Sequence, residues 1–206
     1  TYDNAKLPNA LILCGQWMSD PRMLDQGLAS LAWLVRFQTS AEGSISLIGN
    51  RGWLSRSGAR ARFDQQPVEA MSTIEACADA YRATKDRAWA RCARRFLDWF
   101  MGSNETRSMI YDYQTGGCHD GLHADGPNLN QGAESTLSWL ISLMTAMKLE
   151  GAMAIDDAAE APVLTTEKAT SASCPRMIAL KTPPKARPSR SGRPVRAART
   201  ARASRP

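Results

Sequence analysis

Two histidines, no Cys-x-x-Cys pair, no apolar run approaching 18 residues and no acidic side chain after Glu167: these gaps bound what the 206-residue chain can do. With no paired thiols at metal-ligand spacing, the five cysteines (Cys14, Cys77, Cys92, Cys118, Cys174) form neither a zinc motif nor a disulfide framework. Cys14, Cys77 and Cys92 fall in apolar helical runs, where a thiol acts as a small hydrophobe. A reducing, cytoplasmic setting is the expectation. The missing long apolar run leaves nothing to span a bilayer, and no leader-like segment opens the sequence, so no membrane partner is expected.

The missing acids locate the charge. Residues 1–150 hold 15 Lys+Arg against 16 Asp+Glu, and residues 151–206 hold 11 against 4, so the formal net charge of +6 belongs to the end of the chain. That end is Pro, Ala, Ser and Arg with little aliphatic content. It cannot bury enough apolar surface to offset chain entropy, which predicts a disordered tail over 151–206 and a folded domain over 1–150. Basic residues attract phosphate, but the tail has no aromatic ring to stack on a base and no amphipathic period. Nucleic acid is therefore at most a partner of the tail. Its monotony also reads like GC-rich DNA translated out of frame.

What is present is helical periodicity. Leu7, Ala10, Leu11 and Cys14 recur at three and four, predicting a helix from about Asp3 to Trp17 that stops near Gly15. Asp20-Pro21 is a cap followed by a first-turn proline, and Leu24, Leu28, Leu31 and Val35 carry the next stripe. After a loop of about 25 residues containing IGNRGW, a third helix runs from Pro67 to Thr84 with Val68, Met71, Ile74, Ala78 and Tyr81 on one face. Lys85-Asp86 makes a corner. Trp89, Cys92, Ala93, Phe96, Leu97 and Phe100 then oppose Arg91, Arg94, Arg95 and Asp98, predicting an amphipathic outer helix. A second long loop, with YDYQTGGCHDGLH, leads into a helix from Gln131 to about Leu149. Its Leu137, Leu140, Ile141, Met144 and Met147 predict burial.

Inner and outer helices thus alternate, with inner starts near Asp3, Gln66 and Gln131 about 65 residues apart. Two of these starts share a grammar: RFDQQPVEA (Arg62 to Ala70) and NLNQGAEST (Asn128 to Thr136) each place Gln-x-x-Glu at the head of an apolar helix.

This alternation resembles the six-hairpin, or (α/α)6, toroid of carbohydrate-active enzymes. IGNRGW, FDQQPVEA, WF-x-G-x-N, YD-x-x-TGGC-x-DGL and N-x-NQGAEST, in that order from Ile48 to Thr136, are similar to the C-terminal half-toroid attached to bacterial GT-B glycosyltransferases. The resemblance covers about Tyr2 to Leu149 and implies an all-α fold, an incomplete toroid of antiparallel hairpins whose inner-helix starts surround a sugar-sized cleft. Five helices stand where a closed toroid has twelve, and no transferase domain precedes them. The expectation is a truncated fragment with exposed inner-helix faces and a tendency to self-associate.

The chemistry expected at such a cleft is carboxylate chemistry. Glu69, Asp120 and Glu134 are the candidate catalytic acids, since glycoside hydrolysis needs one carboxyl as proton donor and a second as base or nucleophile. Asn50, Arg51, Asp64, Gln65, Gln66, His123, Asn130 and Gln131 are candidate saccharide contacts, with Trp53 and Tyr111 as stacking surfaces for a pyranose. A bland reading stands beside this one. Gln-x-x-Glu has capping-box spacing, a first-turn acid is favoured by the helix dipole alone, and Arg51 is equally suited to pin a loop. Cys118, His119, Asp120 and His123 match no defined zinc spacing, so no metal is expected. The Gly-rich runs lack the strand of a phosphate cradle, so no cofactor is expected either. Two functions follow: a domain that binds or processes a saccharide or nucleotide-sugar-derived substrate, or a noncatalytic scaffold packed against a glycosyltransferase domain. Convergence of Glu69, Asp120 and Glu134 on one open cleft favours the first; acids that only cap helices favour the second.

Overall fold

In the computed structural model, residues 2–55 and 58–160 are described. The chain divides into two units, Thr1–Pro162 and Val163–Pro206. The second unit, and with it most of the expected tail, lies outside the described residues.

The N-terminal hairpin is decided by two glycines. Helix α1 (Lys6–Trp17) and helix α2 (Pro21–Phe37) cross so closely that a Cβ on Gly15 would sit 2.6 Å from the Leu24 backbone nitrogen, and one on Gly27 2.8 Å from that of Ile12. Gly15 is therefore a packing residue rather than a stop; the helix ends two residues later at Trp17, beyond which Ser19 takes a positive φ of 54° and Asp20 N–H reaches back to Gly15 O. The close crossing also overturns the expected stripe. Pro8, Asn9, Ile12 and Gly15 are buried, whereas Leu7, Ala10 and Cys14 face out. Two apolar faces were available on α1, and backbone approach at the glycines selects one. The start of α2 is as expected: Asp20 accepts from Arg22 N (2.9 Å) and Met23 N (3.2 Å), with Pro21 in the first turn.

Helix α3 (Pro67–Thr84) is buried almost all round, with Val68, Met71, Ile74, Ala78 and Tyr81 on the face the periodicity indicated. It lies between α1 and α5 and packs on α4 (Arg87–Phe100). The α3–α4 corner is Lys85 in the left-handed region (φ 57°) followed by Asp86, whose carboxylate caps Ala88 N at 2.8 Å. Helix α4 buries Ala93, Phe96, Leu97, Trp99 and Phe100, and Arg91 and Arg94 stay outside.

Helix α5 (Ala133–Glu160) departs from expectation twice. It runs through residue 150 into the segment assigned to the tail, held there by Tyr81 Oη (2.6 Å) and Lys85 Nζ (2.9 Å) on Asp156 and by an Arg87–Asp157 ion pair. It also buries the wrong face for its periodicity. Ser135, Ser138, Trp139, Ser142, Ala146 and Leu149 are buried, while Leu137, Leu140, Ile141, Met144 and Met147 are exposed. Small serines permit a close approach, and Ser138 and Ser142 lose nothing by burial because each hydroxyl donates to the carbonyl four residues back. The protein is thus mostly helical, with five helices and, in the second loop, an antiparallel pair β1 (Gly121–His123) and β2 (Gly126–Asn128) among the described residues.

Gly27→Ala forces a methyl into the α1 backbone. It is expected to lower the unfolding free energy by about 2 kcal/mol, as overpacking does, read by urea denaturation.

Candidate functional site

The two long loops meet ahead of α3. Gly49 passes under Phe63 so tightly that a Cβ would lie 1.8 Å from its carbonyl oxygen, which folds IGNRGW back onto RFDQQ. Gln65 is fully buried and pairs its backbone with Leu122 of the second loop in both directions (3.1 and 2.8 Å). Its side chain Oε1 accepts from Leu47 N and Trp99 Nε1, both at 3.0 Å, and Nε2 donates to Arg62 O (2.8 Å) and Glu105 Oε2 (3.3 Å). Every position of the amide is used, so Gln65 has nothing left for a sugar hydroxyl.

Glu69 is 2% exposed, and its carboxylate accepts from Asp3 N (2.5 Å), Asn4 N (3.1 Å) and Asn4 Nδ2 (2.9 Å). It holds the turn that opens α1. Burial pushes this carboxyl above its ordinary 4.5, while the bonds from Asn4 and Asp3 pull the other way. Glu134, in the first turn of α5, is exposed and takes the Tyr2 hydroxyl at 2.7 Å. Burial, the Glu134 bond and the surrounding charges of Glu134, Asp3 and Glu69 push the Tyr2 phenol up to about 12. The two glutamates are thus brought to one end of the helix row, with Tyr2–Asn4 between them.

Asp120 lies apart from them, at the start of α5. It accepts from Gly132 N at 2.7 Å and from the Asn130 amide, and the Ser135 hydroxyl joins them. Burial alone would raise this carboxyl; the bonds from Asn130, Ser135 and Gly132 outweigh it and hold it below 3.8. Gln131 donates to Asp112 (2.9 Å) and accepts from Thr115 (2.8 Å), tying the second loop to its own end. Tyr111 is stacked on Trp139 at 4.6 Å, so its ring serves the packing of α5. Gln66 occupies the N-cap position of α3 with no side-chain capping bond.

A separate corner gathers Asp64, Arg51 and His123. Arg51 Nε meets Asp64 Oδ2 at 2.5 Å, and His123 Nε2 lies 3.2 Å from the buried Oδ1 without the alignment of a hydrogen bond. Asp64 and Trp53 both have left-handed backbones (φ 43° and 57°), a conformation that L-residues adopt at a cost and that the loop must enforce. Trp53 is half-buried, and Asn50 contributes its backbone, donating to Asp64 O at 3.0 Å.

The residues named from the sequence thus fall into three places, and Glu69, Gln65, Asp120 and Gln131 are engaged with the chain's own groups. Three partners went unnamed as site residues: Tyr2 and Asn4, which fill the space between the glutamates, and Glu105, which reaches Gln65 from the α4 loop. The spacing of about 65 residues between Asp3 and Gln66 was the available signal, since equal repeats place equivalent helix starts side by side. Cys118 is buried, and burial followed by the Asp120 charge pushes its thiol up to about 12, which removes thiolate chemistry at neutral pH. The chain matches no protein-family model and no curated protein sequence.

Glu69→Gln turns an acceptor into a donor facing Asp3 N–H and is expected to cost about 2 kcal/mol of stability. The pH dependence carries opposite signs at the two acids. Asp120, depressed, contributes stability that is complete above 3.8 and lost as pH falls through its folded value. Glu69, raised, makes the fold gain stability as pH falls from its folded value toward 4.5. Urea unfolding over a pH series should show Asp120→Asn flattening the acid-side loss and Glu69→Gln flattening the gain.

Proposed function

We propose that the chain is a noncatalytic helical scaffold, an arc of an (α/α) toroid that packs against a glycosyltransferase-type domain and positions it. The observation that carries this reading is the fate of Glu69: both its oxygens are spent on the backbone and amide N–H groups of Asp3 and Asn4. A general acid must present a proton to a leaving group within hydrogen-bond reach. A carboxylate surrounded by three donors, with the chain's own Tyr2–Asn4 in front of it, is an anchor. Asp120 is spent in the same way on Gly132 and Asn130. Glu134 is exposed and accepts from the Tyr2 hydroxyl, and one exposed carboxyl does not make the pair that glycoside hydrolysis uses. The transferase-type partner and the toroid come from the resemblance of the five motifs, and the alternation of α2 and α4 outside α1, α3 and α5 agrees with it.

A saccharide-binding role keeps one place, the corner of Arg51, Trp53, Asp64 and His123. Arg51 gives its Nε to Asp64, yet its side chain remains 73% exposed, and two residues on, Trp53 is half-buried on a left-handed backbone. A guanidinium suits a sugar hydroxyl and an indole suits a pyranose face.

Titrating the ¹⁵N-labelled chain with mono- and oligosaccharides and nucleotide sugars separates the two readings. Amide shifts at residues 51–53, 64 and 123 alone would assign sugar binding to that corner. Shifts centred on Glu69 and Glu134, or glycoside turnover abolished by Glu69→Gln, would overturn the noncatalytic reading. For the scaffold itself, a GT-B domain encoded next to this chain is expected to co-elute with it on co-expression, and separate elution of the two would sink the proposal.

A further inference from the structure

Helix α3 is buried from Pro67 to Tyr81 at every position but two, Glu75 and Asp79. Both acids, with Arg82 further along the helix, open onto a cleft of about 610 Å³ that α1 walls through Asn9 and Leu13 and α5 through Lys148. That volume lies within the ~300–1,000 Å³ of pockets that hold small molecules. Asn9 is 6% exposed, yet its amide Oδ1 has no hydrogen-bond partner among the described residues. A buried acceptor without a donor is a cost that the fold leaves standing, and the amide turns about a soft torsion toward a donor that enters the cleft. Lys148, on the other wall, pairs with no acid among the described residues. The two acids are 28% and 16% exposed at the side chain, and each holds one cation: Glu75 the Lys6 ammonium at 2.5 Å, Asp79 the Arg82 guanidinium. The lining therefore carries both signs of charge, with one ammonium and one amide oxygen left without partners.

We propose that this cleft binds a free α-amino acid, its carboxylate taken by Lys148 and Arg82 and its ammonium by Asn9 Oδ1 and the carboxylates of Glu75 and Asp79. The charges select the ligand. A purely anionic molecule would meet two carboxylates, a polyamine would meet three cations, and a neutral molecule would leave the Lys148 ammonium unanswered. A small zwitterion satisfies both signs through charge-assisted hydrogen bonds. An α-amino acid carries its two charges on one carbon, whereas the two ends of a peptide belong to different residues. Ala10 and Leu13 line the same cleft and offer an aliphatic surface to the side chain, which makes leucine the first probe. The proposal goes beyond the scaffold reading and involves neither Glu69 nor the Arg51 corner.

Titration of the ¹⁵N-labelled full chain with L-leucine, N-acetyl-L-leucine and L-leucinamide tests it. Leucine is expected to shift amides within residues 6–13, 75–82 and 145–148 and to saturate with a Kd at or below about 1 mM. Each derivative lacks one of the two charges and should bind at least about tenfold more weakly. Lys148→Gln changes an exposed side chain; it should weaken leucine at least about tenfold and leave leucinamide, which has no carboxylate, where it was. Asn9→Leu removes the unpartnered amide at nearly equal volume, and should weaken leucine by a similar factor while its urea midpoint stays or rises. Should that variant lose its helical circular dichroism, Lys148→Gln decides alone. No saturable shift from leucine or from any other protein amino acid overturns the proposal. So do shifts centred outside the three segments, or a Lys148→Gln chain that binds leucine like the wild type. N-acetyl-leucine or leucinamide binding as tightly as leucine overturns it as well, since the cleft would then hold one end of a peptide instead.

Discussion

A single buried amide holds the loop layer together. Gln65 joins Leu47 of the first loop, Trp99 of α4, the Arg62 carbonyl and Glu105 through its side chain, and Leu122 of the second loop through its backbone. Glutamine suits this place because its amide offers two acceptor positions and two donors in one plane. A carboxylate would offer acceptors only, and an aliphatic residue would leave the Leu47 and Trp99 N–H groups buried without partners, at about 1–3 kcal/mol each. The long loops can therefore be ordered with little regular structure beyond the short β1–β2 pair of the second. The helix starts they deliver, at Gln66 and Gly132, inherit that order.

Order at the helix starts explains what became of the acids. A helix N-terminus exposes unpaired N–H groups and a partial positive charge, and a carboxylate is the cheapest group to satisfy both. Here the acids act across elements: Glu69 of α3 serves the turn opening α1, and Asp120 serves the start of α5 from its preceding loop. First-turn acids on parallel neighbouring helices look like a catalytic pair in sequence. The same pattern is required when neighbouring helix starts lie level and one helix must hold the next.

Which face of a helix is buried follows from how near its backbone can come to its neighbour. On α1 the buried line passes through Gly15, and on α5 through Ser135, Ser138, Ser142 and Ala146. The bulkier lines, Leu7, Ala10 and Cys14 on one helix and Leu137, Leu140, Ile141, Met144 and Met147 on the other, are left outside. Where the neighbours supply large side chains, as Phe100 of α4 does beside Trp139, small residues on the facing line make room and the dense packing of an interior is reached.

The sequence by itself determined the helix that begins with Asp20 and Pro21, the corner at Lys85-Asp86, the outer character of α4 and the repeat of about 65 residues. The first two depend on interactions within a few residues, Asp20 with Arg22 and Met23 and Asp86 with Ala88. It also marked Glu69, Asp120 and Gln65 as unusual, since polar residues at the head of apolar helices need a reason. Tertiary structure alone decided what the reason was, because the partners of Glu69 lie 65 and 66 residues away and those of Gln65 up to 57, at Leu122. It alone decided which flanks of α1 and α5 face water, for periodicity measures how apolar a face is and not how closely another backbone can approach it.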